Sequence, residues 1–283
     1  MTLTLAGGGW EVTLRPEIGG SLVSLTFGGV EVLRTMPEDS ASPLDAACFP
    51  LAPYCNRIRE GRFGFACTEV ALTPNFAPER HSIHGLSWQR AWRVESQTAN
   101  KCVIVDDYDG AGPWPWAYRA QQFVRVDQKG CAISLVLTNL GATPMPAGLG
   151  LHPYFRRLAG ARVGFAADHI LLSDPECLPT GVTAPPGHFA DFGHGALLPP
   201  ETIDHCFAFW NGGATIEDER GTIAMTASGA PHLHFYAPAD GSALCCEPVS
   251  HTPDALNRAP EEMIVLPPGC SATLTMRISL RGE

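Results

Sequence analysis

The sequence predicts an all-β protein: an antiparallel sandwich or barrel with very little helix, residues 1–283 forming one domain. Three observations carry this. Short runs alternate apolar and polar residues with a period of two, the pattern of strands with one buried face. The 29 glycines and 25 prolines fall every several residues and punctuate those runs, as the turns of a many-stranded sheet require. No amphipathic helix longer than two or three turns is evident, and neither a fixed-period repeat nor a linker between two compositions interrupts the chain.

Taken in order, Leu22–Phe27 is the first alternating run, and Cys131–Leu137 and Ala272–Ile278 are the clearest. Phe49 to Ile58 is a proline-punctuated loop that presents Arg57 just before a new strand. Its guanidinium is a planar fork of donors suited to hydroxyl or carboxylate oxygens, although a solvated surface arginine has the same local sequence. His81 and His84 stand three apart in a stretch that reads as extended or loop, where two rings do not share a face, so a metal pair is disfavoured. His84, before Gly85, suits a hydrogen bonder in a cleft. Trp114-Pro115-Trp116 reads as a structural pair before a stacking platform.

Met145 to Phe155 holds His152 directly before Pro153, which bars the histidine from helical backbone and pushes it to extended. Ala147, Gly148 and Gly150 just upstream allow a backbone or ligand to approach closely. Asp204 opens the apolar run Ile203–Phe207. His232–Tyr236, Pro238–Gly241 and Ser242–Cys246 read as a hairpin closed by an Asp-Gly turn. That second strand delivers Glu247 before Pro248, among apolar neighbours that raise its pKa and make it a better base near neutrality. A short helical turn is expected over Asp254 to Asn257.

Composition narrows the function. At 45% hydrophobic and 17% charged residues, the chain can bury a large core. A formal net charge of −10 disfavours nucleic acid and anionic membranes as partners. No apolar run approaches the ~18 residues of a membrane span, and the N-terminus shows no signal peptide. The ten cysteines have irregular spacing with no Cys-x-x-Cys pair, so reduced thiols used as small hydrophobes are expected. The protein is read as soluble and cytoplasmic, monomeric or homodimeric.

Several of these stretches together resemble the aldose 1-epimerases, the galactose mutarotase-like family. They are Pro53 to Ile58, His84-Gly85-Leu86 with Trp88 and Trp92, Gly148 to Phe155, Pro179-Thr180-Gly181, Asp204 to Phe207, and Glu247-Pro248 with Pro253 to Asn257. Each is weak alone; in this order across most of the chain they are specific. The resemblance implies a large β-sandwich, the family's supersandwich, with an open groove on one concave sheet. It implies Glu247 as general base, His152 as general acid, and Arg57, His84 and Asp204 as binders of sugar hydroxyls. It further implies a small-molecule sugar as partner and no metal or organic cofactor.

Departures from the family concern substrate. Gly85 is followed by Leu86 where many sugar mutarotases carry a second glycine, and Arg59 and Arg62 crowd the Arg57 loop as arginines do in phosphate-accepting relatives. A hexose-phosphate epimerase is therefore the nearest rival reading, with a non-catalytic carbohydrate-binding protein behind it. A metal enzyme with His81, His84, His152 and Glu247 as ligands is a third. Free glutamate and histidine titrate near ~4.3 and ~6.5. Opposite charges across a bound ring are expected to widen that window by lowering the first and raising the second.

Overall fold

In the computed structural model, which describes residues 2–281, two large antiparallel sheets face one another across a shared core. The larger has eleven strands. Its middle runs Ser21–Phe27, Cys48–Leu51, Gly150–Pro153, Cys245–Val249, His232–Ala237, Ile203–Ala208 and His169–Ser173. The nine-stranded sheet is centred on Tyr118–Asp127, Gly130–Asn139 and Ser271–Arg281. The three alternating runs read from the sequence lie inside Ser21–Phe27, Gly130–Asn139 and Ser271–Arg281. The two-sheet antiparallel sandwich expected from the sequence is the observed architecture.

Period-two burial builds the core. Along Tyr118–Asp127 the residues Tyr118, Ala120, Gln122, Val124 and Val126 are buried, and they meet Leu5, Val12, Leu14 and Leu22 of the other sheet in one apolar cluster. Each large aliphatic side chain so buried stabilises the fold by about 1.5–3 kcal/mol. Gln122 is the polar exception, and its Nε2 donates to Gly20 O at 2.8 Å, tying the sheets together.

Two local expectations need adjustment. The His232 hairpin forms, but its second strand begins at Cys245, not Ser242. Asp240-Gly241 does mark a turn, with Gly241 N–H donating to Pro238 O at 3.0 Å. The residues around it are tied elsewhere: Leu244 O accepts from Phe155 N–H, Pro238 O from Arg157, and Thr202 Oγ1 from Ala239 N–H. These bonds draw that part of the hairpin away from a ladder. The expected helical turn is Ala255–Arg258. All ten cysteines are free, and no helix among the described residues is long and apolar enough to cross a membrane.

Candidate active site

The same period of two divides the central strands of the larger sheet. Leu151, Ile203, Phe207, Leu233, Phe235 and Cys246 point into the main core. Their neighbours His152, Asp204, His234 and Glu247 therefore stand on the opposite face. Register brings them together: His234 is the cross-strand partner of Glu247, Asp204 of Tyr236, and His152 of Phe49. Glu247 lies mid-strand, with Pro248 and Val249 continuing the extended chain.

Loops from the first third of the chain cover this face. Arg57–Ile58 pairs with Ser82–Ile83, and His84 follows with φ of 61°. Gly85 beside it is obligatory on two counts: its φ is +72°, and an added Cβ would meet Ala52 O at 2.1 Å. Asn75 grips the backbone on both sides of His84 by donating to Ile83 O and Gly85 O at 2.7 and 2.9 Å. Asp254 braces the Arg57 loop, accepting from Arg59 N–H at 2.9 Å while its own N–H donates to Arg57 O. Gly148 makes room first for a side chain and then for a backbone: a Cβ there would lie 2.2 Å from the His251 ring and 3.3 Å from Tyr54 Cα. That ring accepts from Cys55 N–H and supports the loop from below.

The result is a cavity of about 200 Å³ whose wall includes Asn56, Arg57, His84, His152, Asp204, His234 and Glu247. All five residues singled out from the sequence thus converge. His152 Nε2 and Glu247 Oε1 are 3.3 Å apart, and both side chains are more than nine-tenths buried. His152 stacks on Phe49 and Tyr154 at centroid distances of 4.7 and 4.6 Å, which fixes its ring plane. His84 Nδ1 accepts from Asn56 N–H at 3.2 Å, so the neutral ring keeps its proton on Nε2 as a donor. Arg57 forms a two-pronged pair with Glu79, Nε to Oε2 at 2.8 Å and Nη2 to Oε1 at 2.7 Å. Asp204 Oδ1 accepts from His234 Nε2–H at 2.7 Å.

Burial dominates the protonation of the pair. It pushes Glu247 up to about 8, against the charges of His234 and Arg57. It pulls His152 down to about 3, assisted by the charges of His234 and Arg34. The expectation that opposite charge would lower the first and raise the second is reversed, because desolvation of each group outweighs attraction between them. Between those limits the pair holds one proton. Burial and the charges of His152 and Arg57 hold His84 well below the usual histidine range. Asp204 behaves differently: burial works upward, but the His234 hydrogen bond and charge keep it below the ordinary carboxylate range.

Other sequence candidates lie elsewhere. His81 faces away, its Nδ1 accepting from Glu60 N–H at 3.0 Å. Trp114 is fully buried between Tyr54, Phe63 and Trp116 and serves the core. Arg59 lies 3.8 Å from Asp254, and neither Arg59 nor Arg62 forms part of the cavity wall. Among the described residues, the one trio able to hold a metal is His152, Cys245 and Glu247, with donor atoms within 4.8 Å of each other. His81 and His84 are not in it. His152 Nδ1 has no hydrogen-bond partner, whereas a ligating imidazole is normally anchored through its second nitrogen.

An aldose 1-epimerase family model matches residues 1–279. The chain belongs to the aldose 1-epimerase family. The chain is similar to the uncharacterized protein YphB of Escherichia coli K12, 33% identical over 259 residues, 87% of each chain. A solved Escherichia coli K12 structure described as a candidate aldose 1-epimerase superposes with a TM-score of 0.91 at 29% identity, covering 99% of both chains. A galactose mutarotase-like protein from Clostridium acetobutylicum, at 22% identity, shares the fold with a TM-score of 0.87 over 100% of this chain and 95% of its own. In this member of the family, the Glu-Pro and His-Pro segments thus land on adjacent strands in one covered hollow.

Proposed function

We propose that the protein is a mutarotase: it interconverts the α and β anomers of a neutral, unmodified aldose by acid–base ring opening and closure. The observation that carries this is the His152–Glu247 pair, 3.3 Å apart in a hollow of about 200 Å³. Ring opening removes a proton from the O1 hydroxyl and adds one to the ring oxygen as the C1–O5 bond breaks. The reactive form is the one in which the pair's proton has moved from its resting place on Glu247 across the 3.3 Å contact to His152. Ionised Glu247 then takes the first proton and protonated His152 gives the second. The aldehyde turns about C1–C2, and closure returns both protons with the opposite configuration at C1. A pair that carries one proton at the start carries one at the end, so no other proton source is needed. Each group contributes about 10²–10⁴ in rate, and orientation adds the rest. Arg57, the His84 Nε2–H and Asp204 hold the hydroxyls.

The neutral substrate follows from how the cations are employed. Arg57 is engaged by Glu79, and Arg80, one residue beyond Glu79, by Glu176 at 2.7 Å and Glu60 at 3.3 Å. Arg34 donates to the carbonyls of Ala46 and Leu44. A phosphate would have to break one of these pairs or rest on a guanidinium whose charge a carboxylate already offsets. Anomer-exchange NMR over neutral, acidic and phosphorylated sugars tests the reading, with the expectation that a neutral aldose is exchanged fastest and that EDTA leaves the rate unchanged. A sugar phosphate exchanged much faster would overturn the neutral assignment. Sugar binding without exchange above buffer would make the protein a carbohydrate-binding module.

A further inference from the structure

His234 forms part of the cavity wall, and the acid–base scheme gives it no task. It stands on the His232–Ala237 strand, between the two strands that supply the site's carboxylates. On one side its Nε2–H donates to Asp204 Oδ1 at 2.7 Å. On the other its cross-strand partner is Glu247. The ring is 3% exposed, and Asn56 Nδ2 stands 3.4 Å from each ring nitrogen. An apolar residue here would leave Asp204 charged and unpaired at its inner edge, with a second carboxylate one strand further on. Both arrangements are costly in a desolvated site.

We propose that His234 is a positioning residue of the epimerase, an inference that rests on the acid–base reading above. It holds Asp204 by Oδ1 so that Oδ2 faces the sugar, and it stands as a fixed counter-charge between Asp204 and Glu247. Asp204 Oδ2 is accordingly left with Cys177 Sγ at 3.4 Å and the cavity. The titratable groups around His234 are Asp204, His205 and Cys206 on one neighbouring strand and Glu247 on the other. His152, His84 and Arg57 complete the surroundings from beyond. Burial pulls the His234 imidazole down, but the hydrogen bonds to Asp204 and Cys206 and the charges of Glu247 and Asp204 raise it to about 10.

Two measurements on the full chain test this. Histidine-labelled NMR should find the His234 ring doubly protonated through pH 8, and neutral there in Asp204→Asn. In kinetics, His234→Gln keeps a donor toward Asp204 but removes the charge. The basic limb of kcat/KM should therefore move up by about one pH unit, since Glu247 loses a neighbouring cation, while KM changes less than about three-fold. His234→Phe removes donor and charge together and should raise KM at least about ten-fold. If the Phe variant does not fold, the Gln variant and the NMR still decide. An unmoved basic limb in His234→Gln, or a neutral ring at pH 7 in a protein that exchanges anomers, overturns the proposal alone. A wild type without exchange overturns the epimerase reading and the catalytic role together, while the NMR still reports on the ion pair.

Discussion

The outer faces of the two sheets are built by the same alternation and end in opposite chemistry. On the smaller sheet the outward residues meet water. Ser134 and Thr275 pair at 2.9 Å, Thr138 and Ser271 at 2.8 Å, and Asp107 is shared by Arg93 and Arg119 at 3.1 and 2.6 Å. A groove of about 530 Å³ lies there, lined by small and hydroxyl residues such as Gly164, Thr215 and Thr226. On the larger sheet, loops from residues 53–85 cover the outward residues, and all five positions of Cys245–Val249 are buried. The smaller hollow is the one with displaced protonation states. Solvent exclusion, more than volume or the number of polar groups, separates a reactive face from a soluble one.

The strongest way to break this comparison is to remove the buried proton carriers. Glu247→Gln keeps the shape and a hydrogen bond but cannot relay a proton. Anomer exchange should fall by at least ~10²-fold, with sugar affinity little changed. His152→Asn should behave alike, and the double variant should lose less than the product, because both groups serve one relay. Full activity in Glu247→Gln would move the base elsewhere.

The pH dependence sharpens it next. With Glu247 raised to about 8 and His152 lowered to about 3, exchange should be level between those values and fall up to about ten-fold per unit above pH 8. A maximum confined to pH 4–6 would mean that the pair titrates as if solvated. Stability gives an independent reading. Glu247 binds its proton more tightly folded than unfolded, so its contribution is complete below its ordinary value of 4.5 and is lost as pH rises to about 8. Glu247→Gln should therefore melt higher than wild type at pH 8, by differential scanning calorimetry, and the gap should close toward pH 4.

Much of this was legible. Leu244 to Pro248 is an apolar stretch carrying one carboxylate, and a glutamate so placed must be buried for a reason. Gly85 and the His152–Pro153 step announce backbone constraints that the folded chain confirms. His234 was missed because His232-Leu233-His234-Phe235-Tyr236 looks like an ordinary strand with a wet polar face. Nothing local reveals that a loop some 180 residues earlier covers that face. Glu79 was missed likewise, since its pairing with Arg57 depends on how two irregular segments fold back on each other. The direction of the His152 shift failed for the same reason: attraction between charges is visible in a motif, but the desolvation that overrides it belongs to the assembled fold.

A middle-sized effect is expected at Arg57, which is half in each world, buried at its stem and paired at its tip with the partly exposed Glu79. Arg57→Ala should raise KM for a neutral aldose by about ten-fold and leave kcat within about three-fold, the mark of lost uniform binding. A kcat loss as large as that of Glu247→Gln would place Arg57 in the proton chemistry.

The smallest effect belongs to the wet face. Arg119 and Asp107 make a close ion pair with side chains 38% and 39% exposed, in geometry as good as anything in the cavity. Water screens it, and ordering two flexible side chains offsets part of the attraction, so exposed pairs of this kind contribute about 0–1 kcal/mol. Arg119→Ala should shift the denaturation midpoint by no more than that, and the shift should shrink further in 1 M salt, where the screening length is about 3 Å. Anomer exchange should be unchanged, since the pair lies on the far sheet. A loss above about 2 kcal/mol would show that this face is not solvated as its exposure implies. The contrast between the sheets would then rest on residue type alone.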